Sequence, residues 1–88
     1  MYRIQWRRGV SRKLLAASAK AESASLTDIL AAMSKVESLL HNEPEFVGES
    51  RDADERLLIV EPLSVVYKID YRRRIVQVVR AQVRSTKS

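Results

Sequence analysis

The side chains best suited to chemistry in this chain are cations toward its C-terminal end. Arg80 and Arg84 lie four apart in a Val-rich stretch, and on a strand that spacing separates them by about 13 Å. Such a separation suits successive phosphates or separate acidic side chains better than one shared anion. Arg72-Arg73-Arg74 also looks like a phosphate-binding run, but it falls in a predicted hairpin turn, where a solvated turn is the plainer reading. Tyr67 could donate a proton or stack on a base, yet a tyrosine between Val65 and Ile69 reads as core. His41 sits near the end of a predicted helix and reads as a favourable C-terminal charge. Asp52, Asp54 and Glu55 lack the spacing and the glycine of a calcium loop. There is no cysteine, and a single histidine cannot form a His pair, so no metal and no cofactor are expected. Nucleophile elbows, phosphate-cradling Gly loops and Ser/His/Asp arrangements are absent from the sequence.

Charge along the chain says more than the net +5. Residues 1–21 hold six bases and no acid, residues 71–88 hold six bases and no acid, and residues 22–70 hold four bases with all eleven acids. If the termini meet, as they often do in small domains, they make one basic face, which attracts nucleic acid or an acidic protein. Solvation of an ordinary surface by Arg and Lys is the bland alternative.

These cations need a scaffold, and 88 residues make room for one small domain. Tyr2–Arg7 alternates apolar and polar residues and predicts a strand, broken by Gly9. Val10–Ala21 is rich in helix formers. Ser25-Leu26-Thr27-Asp28 resembles a capping box, followed by Leu26, Ile29, Leu30, Met33, Val36 and Leu40 at helical spacing, until Asn42 and Glu43-Pro44 stop the helix. Residues 45–55 read as a loop. From Arg56 the period becomes two: Arg56–Glu61, Leu63–Asp70 and Arg74–Val83 predict three strands in an antiparallel meander. In the last strand, strict alternation puts Val76, Val78, Arg80, Gln82 and Arg84 on one face, with Ile75, Gln77, Val79, Ala81 and Val83 on the other. The expected fold class is α+β, in the order βααβββ, with two helices packed on one face of a small antiparallel sheet. Residues 1–84 would form a single domain and 85–88 a short disordered tail. No apolar run is long enough to span a bilayer and no signal peptide is visible, so a cytoplasmic location is expected.

The segment Arg56-Leu-Leu-Ile-Val-Glu-Pro-Leu-Ser-Val-Val-Tyr-Lys-Ile-Asp70, followed by Arg74-Ile-Val-Gln-Val-Val-Arg80, resembles the RelE/ParE family of toxins from bacterial type II toxin–antitoxin pairs. The stretch Leu39-Leu40-His41-Asn42-Glu43-Pro44 with Gly48-Glu49-Ser50-Arg51 looks like that family's linker into the sheet. The resemblance implies a RelE-like fold, a cognate antitoxin as partner and a part in plasmid stabilisation. It further implies one of two actions. RelE-like members cut mRNA on the ribosome as metal-independent endoribonucleases, using fixed cations to stabilise charge on the phosphate. ParE-like members block DNA gyrase without catalysis. On the first pattern Arg84 matches a basic catalytic position, with Arg51 a weaker one, while Arg80, Arg84, Arg56 and Lys68 are the nucleic-acid-binding candidates. Two departures accompany the match: Ser64 stands where RelE-like ribonucleases place an arginine, and the sequence ends at Ser88 without their C-terminal catalytic tyrosine. The expectation is a toxin that inhibits translation by ribosome-dependent mRNA cleavage, with a degenerate site. The alternatives are a gyrase inhibitor, for which the missing groups speak, or a basic protein-interaction module without toxicity.

Overall fold

The chain begins on strand β1 (Arg3–Trp6) and passes through helices α1 (Val10–Lys20), α2 (Leu26–Asn42) and the single turn α3 (Pro44–Val47) before it reaches the rest of the sheet. Strands β2 (Glu49–Ser50), β3 (Glu55–Val60), β4 (Leu63–Asp70) and β5 (Ile75–Val83) follow. This computed structural model describes residues 1–20, 26–51 and 54–84. The Ser25 cap, Asp52 and the expected tail at 85–88 lie outside the described residues.

The five strands are ordered β1-β5-β4-β3-β2. β2, β3, β4 and β5 pair antiparallel in succession, and β3 to β5 are the meander that the sequence predicts. β1 departs from the all-antiparallel expectation, because it pairs parallel to β5, with Arg3 opposite Ile75 and Trp6 opposite Val78. Alternating apolar residues announce a strand but carry no direction, and the helices carry the chain from β1 to the far side of the sheet. The segment expected to be a loop contains two short elements, α3 and β2. Pro44 opens α3 at its first position, where a missing N–H costs nothing.

One face of the sheet packs on the helices. Leu58 of β3, Leu63, Val65 and Tyr67 of β4, and Val76 and Val78 of β5 meet Leu14 of α1 and Ile29, Ala32, Val36 and Leu40 of α2. Complete burial of each large aliphatic chain here contributes roughly 1.5–3 kcal/mol. Leu26 and Leu30, expected on the apolar stripe, are instead 48% and 49% exposed, since Ala32 takes the core position at the stripe's edge. Met33 is partly buried against the core.

Hydrogen bonds tie β1 and its flank to α2 and α3. Trp6 Nε1–H donates to Glu37 at 2.7 Å, and the Tyr2 hydroxyl donates to Glu45 at 3.3 Å. The backbone N–H of Tyr2 donates to the carbonyl of His41, and the His41 ring Nδ1 lies 2.8 Å from the Tyr2 carbonyl. His41 therefore stands in the last turn of α2 as expected, and it also fastens β1 to that helix. No described helix is long and apolar enough to cross a membrane.

Candidate nucleic-acid interface

The alternation of β5 fails at one residue, and that failure positions the candidate site. Tyr67 lies opposite Val78 while Val66 lies opposite Arg80, so Val79 is an extra residue, a β-bulge. Before the bulge the even residues Val76 and Val78 face the helices; after it Ala81 and Val83 do, opposite Val65 and Leu63. The expected sharing of one face by Val76, Val78, Arg80 and Gln82 is thereby overturned. Unbroken alternation would drive Arg80 into the apolar core, whereas the bulge turns it to the outer face beside Val66.

β1 ends where the bulge begins. Arg7 N–H donates to the Val78 carbonyl, and the chain then turns at Gly9, whose φ of +93° favours glycine, into α1. Beyond Val78 that edge of β5 has no strand beside it among the described residues. A groove of about 640 Å³ opens there, lined by Arg7, Arg8 and Lys13 from the β1–α1 junction, Arg80 and Gln82 from β5 and Ser64 from β4. Among the described residues four cations and no carboxylate line it. The two basic ends of the sequence thus meet, as the charge distribution anticipates. Arg7, Arg8 and Lys13 were not singled out by sequence reasoning; the absence of any acid over residues 1–21 is the signal that points to them.

The cations that sequence reasoning did select are distributed differently. Arg80 forms a forked pair with Glu55, at 2.6 and 3.3 Å. Its guanidinium holds the Glu55 carboxyl below the ordinary carboxylate value through that hydrogen bond, with Lys68 adding to the effect. Arg84 pairs with Glu61 at 2.8 Å, and Lys68 with Asp54 at 3.7 Å. Arg51 is exposed, and its N–H donates to the Glu55 carbonyl. Arg56, a nucleic-acid candidate by sequence, is turned to the inner face opposite Tyr67, where it donates to the Gly48 carbonyl at 2.6 Å and the Ser50 hydroxyl at 3.0 Å. Its period-two position on β3 decides this, and it holds the linker rather than facing the groove.

Tyr67 is fully buried and its hydroxyl donates to the Pro44 carbonyl at 2.6 Å. Burial pushes its pKa up, which the neighbouring Arg56 partly offsets. The core reading of Tyr67 holds, and it is no proton donor to the groove. Arg72, Arg73 and Arg74 are exposed in the turn between β4 and β5, which Asp70 closes by accepting from the Arg73 N–H at 3.0 Å. Among the described residues no cluster of three His, Asp or Glu is placed to hold a metal.

The overall fold is shared with known structures. A chain of the RelBE2 toxin–antitoxin complex from Mycobacterium tuberculosis matches with a TM-score of 0.72 at 23% identity, over 94% of this chain and 98% of that one. The fold is that of the RelE toxins. The isolated E. coli RelE toxin matches with a TM-score of 0.63 at 14% identity, over 100% of this chain and 88% of that one. A chain of the E. coli RelBE complex gives 0.63 at 13% identity, over 99% and 100%. No family model matches the sequence, and no curated protein matches it. The resemblance carried by Arg56–Asp70 and Arg74–Arg80 therefore holds at the level of fold.

Proposed function

We propose that this chain is the toxin of a toxin–antitoxin pair and that it inhibits translation by acting on mRNA in the ribosome through the groove at the β5 edge. The observation that carries this reading is the convergence of Arg7, Arg8, Lys13 and Arg80 on one carboxylate-free groove of a RelE-like fold. Fixed cations in such a groove hold successive phosphates and stabilise the charge that builds on a phosphate attacked by a neighbouring 2′-hydroxyl. Ser64 and Gln82 add neutral hydrogen-bonding groups. No imidazole, carboxylate or phenol lines the groove among the described residues, so proton transfer, typically worth about 10²–10⁴-fold, would fall to the Lys13 amine. The nuclease in this reading is a slow one that relies on electrostatics and positioning.

The lack of an imidazole, carboxylate or phenol among the described groove residues favours the second reading, a non-enzymatic inhibitor of DNA gyrase. Neighbouring structures are toxin–antitoxin complexes, which supports an antitoxin as partner. An acidic segment from that partner would neutralise the groove. Inducing the gene in a bacterial host and pulse-labelling protein and DNA over the first minutes tests the reading. Protein synthesis is expected to fall first; if DNA synthesis falls first, the ribosomal reading is wrong and gyrase is the target.

A further inference from the structure

The cations of the groove and of the strands beside it fall into two populations. Arg7, Arg8 and Lys13 have no carboxylate within ion-pair distance among the described residues, whereas Arg80, Arg84 and Lys68 each have one. The carboxylates come from β3 and its two ends: Asp54 and Glu55 at its start, Glu61 just after it. They concentrate where the acidic middle of the sequence crosses the sheet.

The Glu55 pair has the forked geometry that a guanidinium offers to a phosphate. It is also accessible, with Arg80 61% and Glu55 21% exposed. Arg84 and Glu61 are likewise partly exposed. Surface pairs of this kind are weak, so an incoming phosphate can exchange for the carboxylate. The displaced carboxylate stays tethered within a few ångströms and competes for the same donors.

We propose that Glu55 and Glu61 act as built-in phosphate substitutes, masking Arg80 and Arg84 so that RNA is engaged first by the open set, Arg7, Arg8 and Lys13. This rests on the groove being an RNA site. It makes Glu55 and Glu61 specificity-determining residues: weakly bound polyanions touch only the β1–α1 cations, and only a strand held firmly in register displaces the carboxylates and gains the β5 cations.

The salt dependence of binding reads the number of phosphates engaged. For single strands the slope of log K against log salt is about −0.7 per phosphate, hence about −2 for the open set alone and about −3.5 when Arg80 and Arg84 join. The probe is a fluorescently labelled 20-nucleotide single-stranded RNA, titrated with the purified full chain by anisotropy at several KCl concentrations. The wild type is expected to show the shallower slope. The double variant E55Q/E61Q is expected to bind about tenfold more tightly at low salt and to show the steeper slope, with both gains lost when Arg80→Ala and Arg84→Ala are added. A wild-type slope already near −3.5, or unchanged affinity and slope in E55Q/E61Q, overturns the masking while leaving the RNA site intact. If neither the wild type nor E55Q/E61Q binds the RNA at all, the groove is no RNA site and the masking falls with it. The wild-type slope needs no variant, so it decides the matter even if E55Q/E61Q fails to fold.

Discussion

On the inner face of the sheet Arg56 is half-buried and holds the Gly48 carbonyl and the Ser50 hydroxyl, whereas on the outer face Arg80 is largely exposed and holds a carboxylate. Both are arginines in β-strands, yet their surroundings give them opposite duties. Arg56 lies beside the Tyr67 hydroxyl, and its buried Nε has no partner among the described residues. Removing it would leave the part-buried Gly48 carbonyl without this donor and a gap beneath the linker. Arg80 faces water and can trade one anion for another with little cost to the fold. The inner face is built to stay as it is, and the outer face is built to exchange partners.

The largest effect that sharpens this contrast belongs to the inner face. Leu40→Ala is expected to cost about 2–5 kcal/mol of stability, measured by urea unfolding, because Leu40 is completely buried between α2 and the sheet. A loss below about 1 kcal/mol would show that this face is not the tightly packed one. Next is Gly48→Ala: a Cβ there meets the Tyr67 hydroxyl and lies 2.8 Å from the Leu57 carbonyl oxygen. It is expected to cost about 1–3 kcal/mol. Adding Tyr67→Phe should relieve part of that cost, and a double-mutant cycle showing strict additivity would mean the hydroxyl is not the obstacle.

Smaller still is the outer-face counterpart. The triple variant R7A/R8A/K13A is expected to keep its unfolding midpoint nearly unchanged, as surface substitutions usually stay within about 0.5 kcal/mol each. It should nonetheless lose most of its RNA affinity at low salt, because those three cations are exposed and have no ion pair among the described residues. A large stability loss without a loss of binding would invert the comparison.

The smallest effects are those of pH. Tyr67 titrates above its ordinary 10.0 because it is buried, so its share of stability is full below that value and is lost as pH rises through the raised pKa. Glu55 titrates below the ordinary carboxylate range because Arg80 holds its charge. Its share is present above the unfolded value and disappears as pH falls through the lowered one. Arg80→Ala should therefore flatten the acid limb of a stability–pH profile and leave the alkaline limb alone, while Tyr67→Phe should do the reverse.

Much of this was legible in the residues. The strand at Arg3–Trp6, the long helix ending at Asn42 and the hairpin from Leu63 to Val83 follow from local periodicity and from stops such as Glu43-Pro44. The core place of Tyr67 followed from its apolar neighbours. Arg7, Arg8 and Lys13 escaped notice as a site because nothing local marks them: they are ordinary surface cations until β1 is laid beside β5. Arg56 misled for the converse reason, since a basic residue near a strand start reads as exposed until its register opposite Tyr67 is known.

The sequence by itself determined the kinds and order of the longer elements and the basic character of both ends, because periodicity, chain breaks and charge are properties of neighbours along the chain, while α3 and β2 were too short to leave a period. Only the tertiary structure decided the parallel pairing of β1 with β5, the bulge at Val79 that turns Arg80 outward, and which cations meet carboxylates. Those depend on contacts between residues far apart in sequence, where one inserted residue exchanges the two faces of a strand.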